Sequence, residues 1–181
     1  MLQNLNTAGA SGSISNEIMQ FRVTREEGDD PALPARLAEF RPLHRSAATR
    51  TRHFVLSARP SFGVVPIPSW RINGKTFDPN QPIVSPRYGE VEIWRFTNQK
   101  FLGFLGLVHP VHVHLVTFMV LERNGGPPRP HETGWKDTVA VDKDDDVSVI
   151  AKFDGYRGIY LLHCHNLEHE DHSMMARFDV V

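Results

Sequence analysis

From about residue 52 onward, apolar and polar side chains alternate in short runs separated by Gly, Pro, Asn and Asp. A period of two turns one face of an extended segment toward a core and the other toward water. Such runs predict strands at Arg52–Leu56, Ser69–Ile72, Gly89–Phe96, Val111–Leu121, Trp135–Val141, Val147–Phe153, Ile159–His165 and Ala176–Val180. Asn73-Gly74 predicts a tight hairpin turn. Many short strands with little helical periodicity predict an all-β Greek-key sandwich or small barrel. The first part of the chain reads differently. Met1 to about Asn16 is polar, Ile18–Val23 alternates like one strand, and Thr24 to about Arg52 is charged and Pro-containing, with Leu37, Phe40 and Leu43 as anchors of a wrapping segment. A lone strand cannot bury its face. Residues 1–51 are therefore expected to be a leftover strand plus an extended linker, and residues 52–181 the compact domain.

Composition removes several function classes. With 181 residues and 40% hydrophobic side chains, the chain is long enough for one domain with an appendage and a real core. A formal net charge of −1 gives no basic footprint for nucleic acid. No apolar run reaches the length of a membrane span. The start, Met1-Leu2-Gln3-Asn4-Leu5-Asn6, lacks a basic segment followed by an apolar one, so no signal peptide is expected and the default address is cytoplasmic. A single cysteine excludes an intrachain disulfide and favours a functional thiol if it lies in a ligand set.

It does lie in one. Cys164 stands in His163-Cys164-His165-Asn166-Leu167-Glu168-His169-Glu170-Asp171-His172-Ser173-Met174. Thiolate, imidazole and a weak thioether together suit copper, and two histidines, a cysteine and a distant axial methionine define a blue-copper centre. Cys164, His169 and Met174, joined by His109 from upstream, complete that set. Strand parity adds a second one. His163 and His165 point opposite to Cys164, while in His109-Pro110-Val111-His112-Val113-His114 the pair His112 and His114 has the opposite parity to His109. The donors therefore sort into His109, Cys164, His169 and Met174 on one side and His112, His114, His163 and His165 on the other. A tetrahedral zinc site of Cys and His is the alternative, but it leaves Met174 and the second histidine set without a role.

The paired elements His109-Pro110-x-His112-x-His114 and His163-Cys164-His165-x₃-His169-x₄-Met174 resemble the C-terminal cupredoxin domain of multicopper oxidases. Together with His114–Arg123 and Gly134-Trp135-Lys136-Asp137-Thr138, they look most like the bacterial spore-coat laccase and bilirubin-oxidase branch. The resemblance implies a plastocyanin-like copper domain, with type 1 copper held by His109, Cys164, His169 and Met174. It assigns His112 to type 2 copper and His114, His163 and His165 to type 3 copper. Glu170 matches an acidic residue that helps deliver protons to the oxygen-reducing centre. It further implies one-electron oxidation of phenols, aromatic amines or bilirubin-like donors, coupled to reduction of dioxygen to water.

The ligand count departs from the family pattern. A complete trinuclear cluster there uses eight histidines, four of them from two His-x-His motifs in another domain. The other histidines here, His44, His53, His131 and His172, form no such pair. The chain is thus expected to carry one type 1 copper and to share up to three more with an N-terminal oxidase domain or with a second copy across a two-fold axis. A single-copper electron carrier and an inactive fragment are the competing expectations. Among the remaining residues, Trp94, Trp135 and Phe118 are expected in the core, Met175 in packing, and His172 and Asp137 on the surface, with a hold on a ligand histidine as the alternative role of Asp137.

Overall fold

The computed structural model describes residues 2–3, 17–26, 28, 32, 34–35, 39–60, 68–100 and 107–181. Contacts divide the chain into two units, Met1–Glu39 and Phe40–Val181. In the first, β1 (Leu2–Gln3) pairs antiparallel with β2 (Glu17–Met19). The strand expected over Ile18–Val23 thus ends at Met19, because its partner is two residues long; Phe21 and Val23 are exposed. Leu37 lies outside the described residues.

The second unit is built from β3 (Arg50–Arg59), β4 (Ser69–Ile72), β5 (Pro82–Val84), β6 (Val91–Asn98), β7 (His109–Val113), β8 (Phe118–Arg123), β9 (Trp135–Lys136), β10 (Thr138–Val141), β11 (Asp146–Lys152), β12 (Gly158–Cys164), the short helix α1 (Leu167–Asp171) and β13 (Met175–Val180). Six strands form one sheet in the order β4-β3-β6-β11-β8-β9, and five form the other in the order β10-β7-β12-β13-β5. Most neighbours are antiparallel; β3 with β6 and β13 with β5 run parallel, which requires the long crossovers of a Greek-key sandwich. Alternation does what the sequence predicts. Phe54, Leu56, Trp94, Phe96, Phe118, Val120, Val147 and Val149 meet Val111, Val113, Leu162, Phe178 and Val180 in one buried cluster. Trp94 packs on Phe54 at 4.8 Å in its own sheet and edge-on to Phe178 at 5.3 Å in the other, the geometry that aromatic quadrupoles favour.

The run Val111–Leu121 is not one strand. β7 belongs to the five-stranded sheet and β8 to the six-stranded one, so the chain crosses between layers at His114–Thr117, with Leu115 at φ 74°. Both halves alternate, which hides the crossing. Asn73-Gly74 does form a tight turn, with φ of 53° and 72°, yet the return is a single bridge from Ile72 to Lys75, and β4 takes β3 as its partner. Neither β5 nor α1 shows a usable period. Trp135 is exposed, with Phe40 edge-on to it at 6.2 Å, whereas Trp94 and Phe118 are core as expected. Within the second unit, the part of the wrapping segment around Leu43 and Arg45 lies on the outer face of the six-stranded sheet. There the Leu43 N–H meets Met119 Sδ at 3.2 Å and Arg45 pairs with Glu122 at 2.7 Å.

Three polar clips tie the strands and their connections together. Asn98 donates its amide to the carbonyls of Leu107, Val141 and Asp142 at 2.7–3.0 Å, tying the chain just before His109 to the end of β10. Buried Glu92 accepts a two-pronged bond from Arg52 at 2.6 and 2.7 Å and one from Trp94 Nε1 at 2.9 Å, locking β3 to β6. Buried Arg123 pairs with both Glu132 and Asp145 and donates to the Ala140 carbonyl at 2.7 Å. That closes the stretch between β8 and β11 over β10, the strand paired with β7. The four aspartates at 142 and 144–146 each face a cation, namely Arg129, Lys100, Arg123 and Arg95.

Candidate metal centre

The two donor sets fall on opposite faces of the five-stranded sheet, as parity requires. In β7 the side chains of His109, Val111 and Val113 turn inward, and His112 faces out. β12 runs beside it, pairing His163 with His112 and Cys164 with Val111. Cys164 thus enters the sandwich interior while His163 meets the outward histidines.

Three members of the inward set converge on one point. Cys164 Sγ lies 3.3 Å from His169 Nδ1 and 3.6 Å from His109 Nδ1. Two ligands bound to one ion at about 2.0 and 2.3 Å with an angle near the tetrahedral value are separated by about 3.4–3.6 Å. These distances therefore fit an ion held by sulfur and two Nδ1 atoms. Cys164, His109 and His169 are 1%, 3% and 5% exposed, and Met174 is fully buried. Burial opposes charge on each donor. It pushes the Cys164 thiol up to about 11 against a weaker downward pull from the Asn166 backbone, and takes His109 down to about 3 with help from His169. His169 is lowered for the same reason. The metal-free pocket is accordingly a neutral thiol beside two neutral imidazoles. A soft cation that displaces the thiol proton is the charge this donor set lacks.

The loop after β12 positions His169 and Met174. Asn166 caps α1 by accepting from Glu168 N at 3.2 Å, and its carbonyl accepts from His169 N and Glu170 N at 3.0 and 2.9 Å. The chain then returns through Ser173 at φ 61°, with Met174 N donating to the His169 carbonyl at 2.8 Å and the Met174 carbonyl accepting from Cys164 N at 3.0 Å. Asn166→Ala should lower stability by about 1 kcal/mol through loss of the cap, read as a shift in denaturant midpoint at unchanged slope.

The outward set brings together His112, His114 and His163, each with a ring nitrogen within 4.8 Å of the others. His112 Nδ1 donates to the Asp137 carbonyl at 2.9 Å, which leaves the lone pair on Nε2. Asp137 thus orients His112 through its backbone carbonyl. His163 Nδ1 donates to the Cys164 carbonyl at 3.3 Å, so its Nε2 is again the free donor, 3.1 Å from His114 Nε2. That spacing is what two imidazoles on one ion at about 2.0 Å require. Burial lowers both His114 and His163; the neighbouring imidazoles His163 and His112 add to it at His114, whereas at His163 the Cys164 carbonyl and Glu170 pull the other way without outweighing it. His165 sits past the end of β12, its N–H on the Pro110 carbonyl at 2.6 Å. Its exposed ring lies 5.2 Å from that of His163 and 5.7 Å from that of His112, outside the tight group. Glu170 Oε2 lies 3.3 Å from His165 Nδ1 and 3.7 Å from His163 Nδ1. His172 is exposed and donates to the Glu168 carbonyl, and Met175 is half-buried at the strand start.

One residue has no signal in the sequence beyond its place in a strand. Trp70 packs on the His169 ring at a centroid distance of 3.8 Å and edge-on to His109 at 5.9 Å. A cavity of about 380 Å³ opens between β4, β5 and β13, lined by Ile72, Phe77 and Met175 with Asp78 and the cations Arg71, Lys75 and Arg177.

A two-sheet β domain with a buried His₂Cys pocket on one face of a sheet and a histidine cluster on the other defines a copper protein of the cupredoxin class. A family model described as multicopper oxidase matches residues 43–181, and the chain belongs to that family. It is 36% identical to a laccase of Haloferax volcanii over 93% of this chain and 29% of that protein. It is 33% identical to a bilirubin oxidase of Albifimbria verrucaria over 96% of this chain and 31% of that protein. The crystal structure of a laccase from Pediococcus acidilactici superposes with a TM-score of 0.71 at 32% identity, covering 86% of this chain and 32% of that one. The chain spans about a third of the length of these relatives, which are larger, multi-domain proteins. The family implies copper.

Proposed function

We propose that this chain is the electron-accepting domain of a laccase-like multicopper oxidase. His109, Cys164, His169 and Met174 hold a type 1 copper, and His112 (type 2) with His114, His163 and His165 (type 3) supplies half the ligands of a three-copper cluster. The observation that carries this reading is the placement of a complete sulfur–nitrogen pocket and a half-exposed histidine cluster back to back on adjacent residues of one strand. Bound copper supplies a one-electron acceptor in the first pocket and the reduction of dioxygen to water in the second. The chain's own residues do the rest. Cys164 gives up its proton to become a thiolate ligand, and its covalent neighbours His163 and His165 offer a short route between the sets. Met174, fully buried, would offer its thioether as the fourth donor. The Asp137 carbonyl holds His112 in the tautomer that leaves Nε2 free. Glu170, 3.3 Å from His165 Nδ1 and 3.7 Å from His163 Nδ1, would hold and pass a proton beside these two histidines.

Donors are small aromatic reductants, phenols, aromatic amines or bilirubin-like pigments. The cavity between β4, β5 and β13, where Ile72, Phe77 and Ile83 lie among Arg71, Lys75, Asp78 and Arg177, is a candidate seat for such donors. The missing ligands come from another multicopper-oxidase domain. A second copy facing the first across a two-fold axis is the other arrangement that brings eight imidazoles together. Without either, the complete first pocket makes the chain a one-copper electron carrier.

Oxygen uptake with a phenolic donor, followed alongside solution mass, tests the proposal. The copper-loaded monomer should be reduced by the donor yet consume no oxygen, and uptake should appear only with an assembled species. Turnover by a monomer holding one copper, or a copper that the phenol does not reduce, contradicts it.

A further inference from the structure

Both imidazoles of the inward set are shut away from water, and a tryptophan lies against them. The Trp70 indole is 6% exposed, 3.8 Å from the His169 ring centroid at an interplanar angle of 38°, and edge-on to His109 at 77°. The other buried tryptophan, Trp94, packs on Phe54, Phe153 and Phe178.

Trp70 is held there by more than packing. It sits on β4, the last strand of its sheet, whose register on β3 is fixed by the pairs Leu56–Ile72, Ser57–Arg71, Ala58–Trp70 and Arg59–Ser69. The Asn73-Gly74 turn locks that register. Asn73 Oδ1 accepts from Val55 N at 2.6 Å, its Nδ2 donates to the His53 carbonyl at 2.9 Å, and its backbone N–H donates to the Val55 carbonyl at 2.9 Å. A slip of one residue would turn Trp70 outward and Arg71 inward. The strongest turn signal in the sequence therefore serves to aim one indole at a ligand histidine.

We infer that Trp70 is a positioning residue of the copper centre: it fixes the His169 ring, keeps water off it, and so shifts the site toward reduced copper. This rests on the copper reading above. One thiolate and two neutral imidazoles give the site a net charge of +1 with Cu(II) and zero with Cu(I). Water favours the charged form, so a cover that excludes water favours the uncharged, reduced one.

The test is the Cu(II)/Cu(I) potential of the copper-loaded chain, with its visible and paramagnetic spectra, in Trp70→Phe, Trp70→Leu, Trp70→Ala and Trp94→Phe. Trp70→Phe, which keeps a ring on His169, should stay within about twofold of the wild-type Cu(I)/Cu(II) affinity ratio. Trp70→Ala should move that ratio about tenfold toward Cu(II), a potential about 59 mV lower for a one-electron couple. Trp70→Leu, which keeps bulk but no ring, should move it at least about threefold, and it decides the matter if Trp70→Ala does not fold. Trp94→Phe should lose stability and leave the potential in place. Leu and Ala variants within twofold of wild type, or an equal shift in Trp94→Phe, overturn the inference. A wild-type chain that binds no copper through Cys164 fails the parent reading instead, before any Trp70 variant is compared.

Discussion

Replacing Cys164 by serine should abolish the intense visible absorption of the copper-loaded chain and lower its copper content by one ion per chain. A serine hydroxyl stays protonated where a thiol yields to a metal, and it is a hard oxygen donor in a pocket otherwise suited to a soft cation. The fold should survive. The introduced hydroxyl would stand where two imidazole nitrogens now lie 3.3 and 3.6 Å from sulfur, near enough to find a partner, so metal-free stability should change by only about 1 kcal/mol. Absorption and metal analysis on the same sample check both halves. A variant that keeps the band would remove Cys164 from the centre.

Arg123→Met should be the most damaging single change to stability away from the ligands, costing about 3–5 kcal/mol, because it takes from two buried carboxylates the buried cation they share and leaves only the more exposed Arg129 nearby. The loss should also depend on pH. Burial alone would push Glu132 and Asp145 up; hydrogen bonds from Arg123, Asn124 and backbone N–H groups, together with the charges of Arg123 and Arg129, outweigh it and hold both below the ordinary carboxylate range. A carboxyl lowered on folding contributes stability that is fully present above its unfolded value, about 4, and is lost as pH falls through the lower folded value. Wild-type melting temperature should therefore drop below about pH 4. The gap between wild type and Arg123→Met should narrow over the same range. A gap that stays constant down to about pH 3 would show that charge is not what Arg123 contributes.

How far the sequence led depends on the physics behind each feature. The two donor sets were legible because strand parity is a local rule: Cys164 and His163 are neighbours, and a pleated backbone separates them whatever the rest of the fold does. The strands with strong alternation, Phe54–Leu56, Trp94–Phe96 and Val147–Val149, were legible for the same reason. The crossing at Leu115 was not, since alternation continues on both sides of a change of sheet. α1 is too short for a helical period, and its cap at Asn166 and the positive φ at Ser173 become meaningful only once Met174 is seen to return to Cys164. His165 was grouped with the outward histidines by parity, yet the strand stops at Cys164 and leaves it at the margin. Trp70 was out of reach, because its contact with His169 joins β4 to α1 across nearly a hundred residues of chain. Asp137 acts on His112 through its carbonyl, which any residue type would supply, so side-chain reasoning had nothing to find.

On this reading one chain holds a complete soft-metal pocket built on Cys164 and only half of a second, histidine-only site. Anaerobic titration of the metal-free monomer with cuprous ion, followed by one-electron oxidation and metal analysis, is the most direct test. One tightly held copper per chain is expected, with an intense thiolate-to-copper band on oxidation and only weak, thiolate-independent uptake beyond it. Tight binding of copper with no such band, at a stoichiometry that Cys164→Ser leaves unchanged, would contradict it.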